Sequence, residues 1–289
     1  MTQTNKENLS NRVIVVAGAS GGIGSATCRL LAAQGATMIV AGRQNGSLSR
    51  ILQEVRGKSP ESISVAGDFC CLRSWNELME TVEKKFHRID VLVNCIGVIV
   101  PGTIETMNEE NIQRVISTNI VSVINGVKAV LPMMRRQGKG QIITVGSLGG
   151  ILPMPFEALY SATKFAVRGL SLSLGEELKG MGVTVSLISP GPVKTKMLDL
   201  EATDDFSTIT FVEKPLHPDK VAEAILSVIR RPKREITLPR ISTKVARVIG
   251  LSPSLFGFCY PLLSFVGRLR LQRYRRAYAK EIKIGLSEI

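Results

Sequence analysis

The chain has almost no histidine. His87 and His217 are the two imidazoles among 289 residues. His217 stands in "LHPDK" ahead of a helical pattern, where loop duty fits better than catalysis. Any proton chemistry must therefore be carried by other side chains. Cysteine is sparse too. Cys28, Cys70, Cys71, Cys95 and Cys259 show no metal-ligand spacing, which excludes a zinc module and any other metal site built on thiols. They read as reduced thiols of a cytoplasmic protein, not a disulfide framework. The opening "MTQTNKENLSNR" has no apolar core, so no secretory signal is expected. Charged residues are only 21% of the chain against 44% hydrophobic, which excludes wholesale disorder and leaves room for one large α/β domain with an appendage. Acid is what the C-terminus lacks. Residues 230–289 hold 14 Lys and Arg against 3 Asp and Glu, a net of +11 out of the chain's +13. A nearly neutral body with a basic tail points to an acidic partner or surface. No recognised nucleic-acid module accompanies that charge, so nucleic acid is not the expected partner.

Short β-branched runs recur along the rest: "RVIVVAG", "TMIVAGR", "SISVAG", "IDVLVNCIG", "GQIITVGS", "VTVSLISPG" and "REITLP". Continuous apolar runs of this kind fit strands buried on both faces. Helical patterns lie between them at 22–34, 72–87, 108–136, 159–180 and 219–231. Strand and helix in alternation predict a doubly wound parallel sheet of seven strands, an α/β fold over residues 1–239. Residues 240–289 form an extension of different composition.

The first strand runs into "AGASGGIG". Gly18, Gly22 and Gly24 there let the backbone turn sharply and approach a pyrophosphate at the following helix N-terminus. The second strand ends "IVAGRQ", with Arg43 where an acid would favour NAD. An arginine fork suits a 2′-phosphate, so NADP(H) is the expected cofactor. Asp68, after the third strand, is a candidate for the adenine edge. In "YSATK", Tyr160 and Lys164 fall four residues apart on one helical face. A cation beside a phenol is expected to lower its pKa and make it a proton donor near neutral pH.

Taken in order, these motifs resemble the short-chain dehydrogenase/reductase family across residues 12–239. The resemblance rests on "AGASGGIG" at 17–24, Asp68, "NCIG" at 94–97, Asn119, Ser147 in "TVGSLGG", "YSATK" at 160–164 and "PGPVKT" at 190–195. It implies a Rossmann fold and a catalytic set of Asn119, Ser147, Tyr160 and Lys164. Tyr160 would give and take the proton, and Ser147 would steady the carbonyl. Lys164 would hold the nicotinamide ribose and depress the tyrosine. Asn119 would hold a water linking Lys164 to solvent. The implied cofactor contacts are Gly18, Ser20, Gly22, Ile23, Gly24, Arg43, Asp68, Asn94, Gly97, Tyr160, Lys164, Pro190, Gly191, Val193 and Thr195, with no metal. A homodimer or homotetramer is implied, paired through the helices at 108–136 and 159–180. Two motifs depart from the family pattern: Ala17 replaces threonine, and Cys95 and Ile96 replace the second asparagine and the alanine of Asn-Asn-Ala-Gly. Ile96 is expected to replace a lost hydrogen bond by apolar packing.

The segment 198–217 reads as a lid, with Leu198, Leu200, Phe206, Ile209 and Phe211 facing a pocket whose other side offers Leu148, Ile151, Leu152, Met154 and Phe156. No Arg or Lys occupies a substrate-clamping position. The expected substrate is a small hydrophobic carbonyl or its alcohol, lipid-like in character; a β-keto chain on a carrier protein is the alternative. A nucleotide-sensing regulator without turnover is the reading from another class. The tail at 248–283 leaves three readings. One is attachment at a membrane surface of a cytoplasmic protein, by an apolar hairpin and arginines. The others are docking of an acidic protein and packing back on its own domain. Pro253, Pro261 and the glycines argue against one continuous helix.

Overall fold

Residues 8–287 are described in a computed structural model of the chain, with side chains for 8–239 and 244–277. The β-branched runs become seven strands: β1 Val13–Ala17, β2 Thr37–Gly42, β3 Ile63–Ala66, β4 Val91–Asn94, β5 Gly140–Val145, β6 Val183–Pro190 and β7 Glu235–Leu238. All pair in parallel, in the order β3-β2-β1-β4-β5-β6-β7. β1 explains why the runs are apolar throughout. Its Ile14 and Val16 belong to the core on one face of the sheet, while Val13, Val15 and Ala17 belong to the core on the other. Each such Val or Ile contributes roughly 1.5–3 kcal/mol by leaving water.

Helices cover both faces. One layer holds α1 (Gly22–Ala33), α2 (Asn45–Arg56) and, further on, α8 (Pro218–Arg230). The other holds α3 (Leu72–Phe86), α5 (Ser122–Gln137) and α6 (Ala158–Glu177). The long helix expected at 108–136 has three parts. α4 (Glu109–Ile116) is capped by the Asn108 side chain, and a π-helical turn, Ser117–Val121, then leads into α5. α2 is a helix that sequence patterning left as loop. Its buried Leu48, Ile51 and Val55 are diluted by Gly46, Ser47 and Ser49.

The strand order reverses direction of growth between β1 and β4, which opens a crevice at the carboxyl ends of these strands. The chemistry-bearing motifs of the chain gather there. The lid segment carries α7 (Lys196–Glu201) and a 3₁₀ turn at Ile209–Val212.

The extension is helical: α9 (Arg240–Gly250) and α10 (Pro253–Ser287). α10 runs through Pro261 and through its internal glycines, contrary to the sequence expectation. Its packing supplies the reason. Leu271 is buried with Leu198, Ala202 and Phe211 of the lid, and Tyr274 packs against this cluster. The Tyr274 hydroxyl donates to Asp199 Oδ1 at 2.8 Å, and Arg275 donates to the Ala202 carbonyl at 2.6 Å and to Asp205 at 2.6 Å. Arg270 donates to the Val212 carbonyl. Contacts of this number outweigh the ~3 kcal/mol that an interior proline costs a helix. The tail therefore folds back on its own lid and forms no apolar hairpin. The side chain of Tyr278, the last residue of the expected apolar stripe, lies outside the described residues.

Candidate active site

β1 delivers the glycine turn to the crevice. Gly18 sits at φ 81°, and a Cβ there would lie 2.8 Å from the backbone of Cys95 and Ile96. The turn is thus pressed against the loop after β4. Ile96 packs on the same core cluster that contains Ala17, as its apolar replacement role requires. Gly22 opens α1, and a Cβ on it would meet the Thr195 methyl at 2.6 Å. Among the described residues, no side chain caps α1. Its first N–H groups are left for an anion, which is what a dinucleotide pyrophosphate requires. Ser20 is exposed beside this turn, and Arg43 is exposed at the end of β2, in no ion pair among the described residues. Asp68 is exposed and accepts a hydrogen bond from the Cys70 backbone N–H at 3.0 Å. These groups fit the adenosine and phosphate portion of a nicotinamide dinucleotide.

Asn94 does not join them. It is 1% exposed, and its Nδ2 donates to Thr144 across the sheet at 3.5 Å. Its other neighbours are Trp75 and Gly126, on the α3–α5 side. Its side chain faces the α3–α5 layer, because side chains along β4 alternate and Asn94 falls on the same side of the sheet as Leu92.

A cavity of about 330 Å³ lies beyond the glycine turn. Ile23, Gly97, Pro190, Gly191, Val193 and Thr195 form its cofactor side, and Ser147, Tyr160 and Lys164 its reactive wall. Ser147 follows the end of β5, where its Oγ accepts from the Gly149 N–H at 3.0 Å in the same cavity wall as the Tyr160 phenol. Tyr160 and Lys164 lie one turn apart on α6, the ammonium 5.5 Å from the centre of the ring. Lys164 Nζ donates to the Val145 carbonyl at 3.4 Å. Asn119 sits in the π-helical turn, and its amide is fully engaged. Oδ1 accepts from the Val98 N–H at 2.8 Å, and Nδ2 donates to the Val98 carbonyl at 2.9 Å and to Thr163 at 3.0 Å. The extra residue of a π turn is what rotates Asn119 toward the loop after β4. Gly97 lies between Asn119 and Lys164: a Cβ on it would be 3.7 Å from one and 3.5 Å from the other.

The electrostatics overturn one sequence expectation. Lys164 does not depress Tyr160 in this state. Burial raises the phenol first, the Glu201 carboxylate raises it further, the Ser147 hydroxyl pulls it down, and Glu157 adds another upward push. Lys164 is itself lowered to about 8 by burial. Both groups are enclosed, and burial destabilises each in its charged form. Cys95 is a half-buried thiol of the cavity wall, raised to about 12 by desolvation.

The remaining wall is apolar. Leu148, Leu152 and Met154 face Leu198, Ile209 and Val212 across the cavity. Ile151 and Phe156 stand behind this surface; the Phe156 ring stacks on Phe206 of the lid at 4.7 Å. Leu200 and Phe206 point outward, and Phe211 turns away to hold α10. Sequence reasoning missed two contributions. Val245, Ala246 and Ile249 of α9 and Leu263 of α10 close the cavity; the apolar spacing in "KVARVIG" was their available signal. Glu157 and Glu201 also stand in the wall, and nothing in "PFEALY" or "DLEATDD" marks a buried acid.

A glycine turn at an uncapped helix, at the switch point of a doubly wound sheet, with serine, tyrosine and lysine converging beyond it, defines a nicotinamide-dependent oxidoreductase. The family model for short chain dehydrogenase matches residues 12–205, and the chain belongs to the short-chain dehydrogenase/reductase family. It is 33% identical over 231 residues to an uncharacterized oxidoreductase of Staphylococcus saprophyticus, covering 78% of this chain and 93% of the relative. It is 30% identical over 258 residues to the 3-ketodihydrosphingosine reductase of Bacteroides thetaiotaomicron, covering 82% and 89%. Among solved structures, a single-substitution variant of actinorhodin polyketide ketoreductase with NADPH superposes with a TM-score of 0.73 at 27% identity, covering 78% and 95%.

Proposed function

We propose that the protein is an NADP(H)-dependent reductase of a ketone on a hydrophobic, lipid-like substrate, with Tyr160 as the proton donor. The observation that carries this reading is the position of Tyr160. Its phenol sits in the wall of a largely apolar cavity, beside Ser147 and one turn from Lys164. When bound, the dinucleotide supplies or accepts the hydride. Ser147 and Tyr160 hold the carbonyl oxygen, and Tyr160 passes its proton to that oxygen as charge develops. Lys164 holds the ribose. Asn119 fixes the Val98 loop and carries the water through which Lys164 recovers the proton. Arg43 favours NADP(H) over NAD(H). One relative is named a 3-ketodihydrosphingosine reductase and one solved neighbour a polyketide ketoreductase, which supports the direction and the substrate class. The test is consumption of NADPH with hydrophobic ketones, run with Arg43→Ala and Tyr160→Phe. Equal use of NADH by the unmodified protein would remove the cofactor assignment; full activity of Tyr160→Phe would remove the mechanism.

We also infer a homodimer or homotetramer that meets a lipid surface. Val121, Ile124 and Phe165 are exposed on the helices where family pairing is expected. Leu251, Leu255, Phe258, Leu262, Phe265 and Leu269 form one exposed stripe from the end of α9 along α10, at alternating spacings of four and three. Arg268, Arg273 and Arg276 are exposed beside its end. An apolar stripe with flanking arginines suits an anionic membrane surface. α10 lies on the lid and does not span. Among the described residues, Glu109–Gln137 is the helical stretch long and apolar enough to cross a membrane, and Val130, Met133 and Met134 bury its inner face against the sheet. Flotation with anionic vesicles, lost in Phe258→Glu, is the expected result; absence of flotation at low salt removes the membrane contact.

A further inference from the structure

Glu157 and Glu201 are out of place in a pocket for a neutral lipid. Glu157 is 1% exposed and Glu201 is 7% exposed, and both line the cavity that holds Tyr160. Glu157 stands just before α6, three residues ahead of Tyr160 in the chain. Glu201 ends α7, in the lid. The two come from different elements of the cavity wall, which Thr210 also lines. Its hydroxyl donates to Glu157 Oε1 at 3.4 Å, a long bond. The Ser207 hydroxyl also lies beside Glu157, but donates to Asp204 at 2.8 Å. Glu157 Oε2 is buried and has no hydrogen-bond partner among the described residues. No described ion pair includes either acid. Lys164, the one cation among the described residues of the cavity wall, is turned to the Val145 carbonyl.

Such an arrangement is costly. A buried carboxyl without a cation or a full set of donors loses several kcal/mol of hydration. Burial raises Glu157 to about 7 and holds Glu201 well above the usual carboxylate range, and Glu157 opposes ionisation of Glu201. The pair thus resists carrying charge when empty, and a monovalent cation seated between the two carboxyls would favour its ionisation. The described residues contain no third acid, cysteine or histidine positioned to complete a metal site. Much of the surrounding wall is hydrocarbon, with Thr210 and Glu213 among its polar members, so the cation fits best attached to an apolar body.

We propose that Glu157 and Glu201 form an ammonium subsite, and that the substrate is a hydrophobic ketone bearing an amino group a few bonds from the carbonyl. This rests on the reading of Tyr160 as the group that meets the carbonyl oxygen. The two acids also act on Tyr160, raising it. An ammonium seated between them would cancel that effect, so the correct substrate would make the phenol a better acid in the act of binding. Discrimination then arises at the chemical step as well as in affinity.

The experiment compares three substrates with NADPH: a straight-chain α-amino ketone, the same ketone without nitrogen, and its N-acetyl derivative. A charge-assisted contact in a buried site predicts that kcat/KM favours the amino ketone by about tenfold to a hundredfold. Glu157→Gln and Glu201→Gln should each collapse that ratio toward one; a ratio within one variant is insensitive to loss of folded enzyme. Calorimetric binding of an n-alkylamine against the alkanol of equal length gives a readout without turnover. Tighter binding of the amine, lost in Glu157→Gln, supports the subsite. If all three ketones are reduced equally and amine and alkanol bind alike, the subsite is refuted and the reductase reading stands. If no ketone is reduced, the reductase reading fails, and the calorimetry alone decides the subsite.

Discussion

Two glycines in one helix make opposite predictions. A methyl on Gly267 would fall on the Thr208 carbonyl oxygen, well inside the 3.0 Å that real Cβ atoms keep. Gly257, ten residues earlier in α10, has nothing within 4 Å of such a methyl. Helix propensity alone favours alanine at both sites by about 1 kcal/mol. At Gly257 that gain should appear as unchanged or slightly raised stability. At Gly267 the helix must move outward by on the order of 1 Å, and overpacking of this kind costs roughly 1–3 kcal/mol. A chain of this size loses about 2–4 °C of Tm per kcal/mol, so Gly267→Ala should melt roughly 2–10 °C lower. The displacement also withdraws Leu263 from the cavity wall and loosens Leu271 from the lid, so KM for a hydrophobic ketone should rise. Thermal melts and steady-state kinetics on the two variants measure both effects. If Gly267→Ala behaves like Gly257→Ala in both assays, α10 is not docked on the lid, and its part in the cavity is refuted.

Tyr160→Phe should lower kcat by about 10²–10⁴ while NADPH binding, followed by fluorescence, stays intact; a variant that loses binding as well would give the tyrosine a structural role. Glu157 titrates at about 7 in the fold against an ordinary 4.5. The unfolded chain releases this proton first, so the stability it contributes is fully present below pH 4.5 and is lost as pH rises to about 7. Glu157→Gln should flatten that decline in chemical denaturation, and an unchanged slope would contradict the burial of the acid. Ala17→Thr and Ile96→Ala should show a coupling energy above about 0.5 kcal/mol in a double-mutant cycle, since Ile96 packs on the cluster that holds Ala17; simple additivity would show that the two departures from the family pattern are independent.

The sheet was legible because its strands are buried on both faces and so carry no polar alternation to confuse. The glycine turn, Ser147 and the Tyr160–Lys164 pair were legible because backbone approach and helical spacing leave local marks. α2 was hidden by Gly46 and two serines, whose cost to a helix is met by burying Leu48, Ile51 and Val55. The continuity of α10 was hidden because Pro261 is a local signal and the lid that overrides it is distant in the chain. The sign of the effect on Tyr160 failed for a related reason. Spacing placed the lysine beside the phenol, but only the fold brings Glu201 there and removes water from all of them. Acids in an irregular polar segment read as solvated until a helix from elsewhere covers them.

The family model ends at residue 205, and Ile209, Val212, Val245, Ile249 and Leu263 of the cavity wall all come after it. The residues proposed for cofactor binding and proton transfer all lie before that point, between Gly18 and Thr195. The chain is therefore modular along its length, with reactivity written first and selectivity largely written last. Grafting α9 and α10 with their lid from one such enzyme to another would exchange the preferred chain length or shape of the substrate and leave the hydride and proton steps untouched.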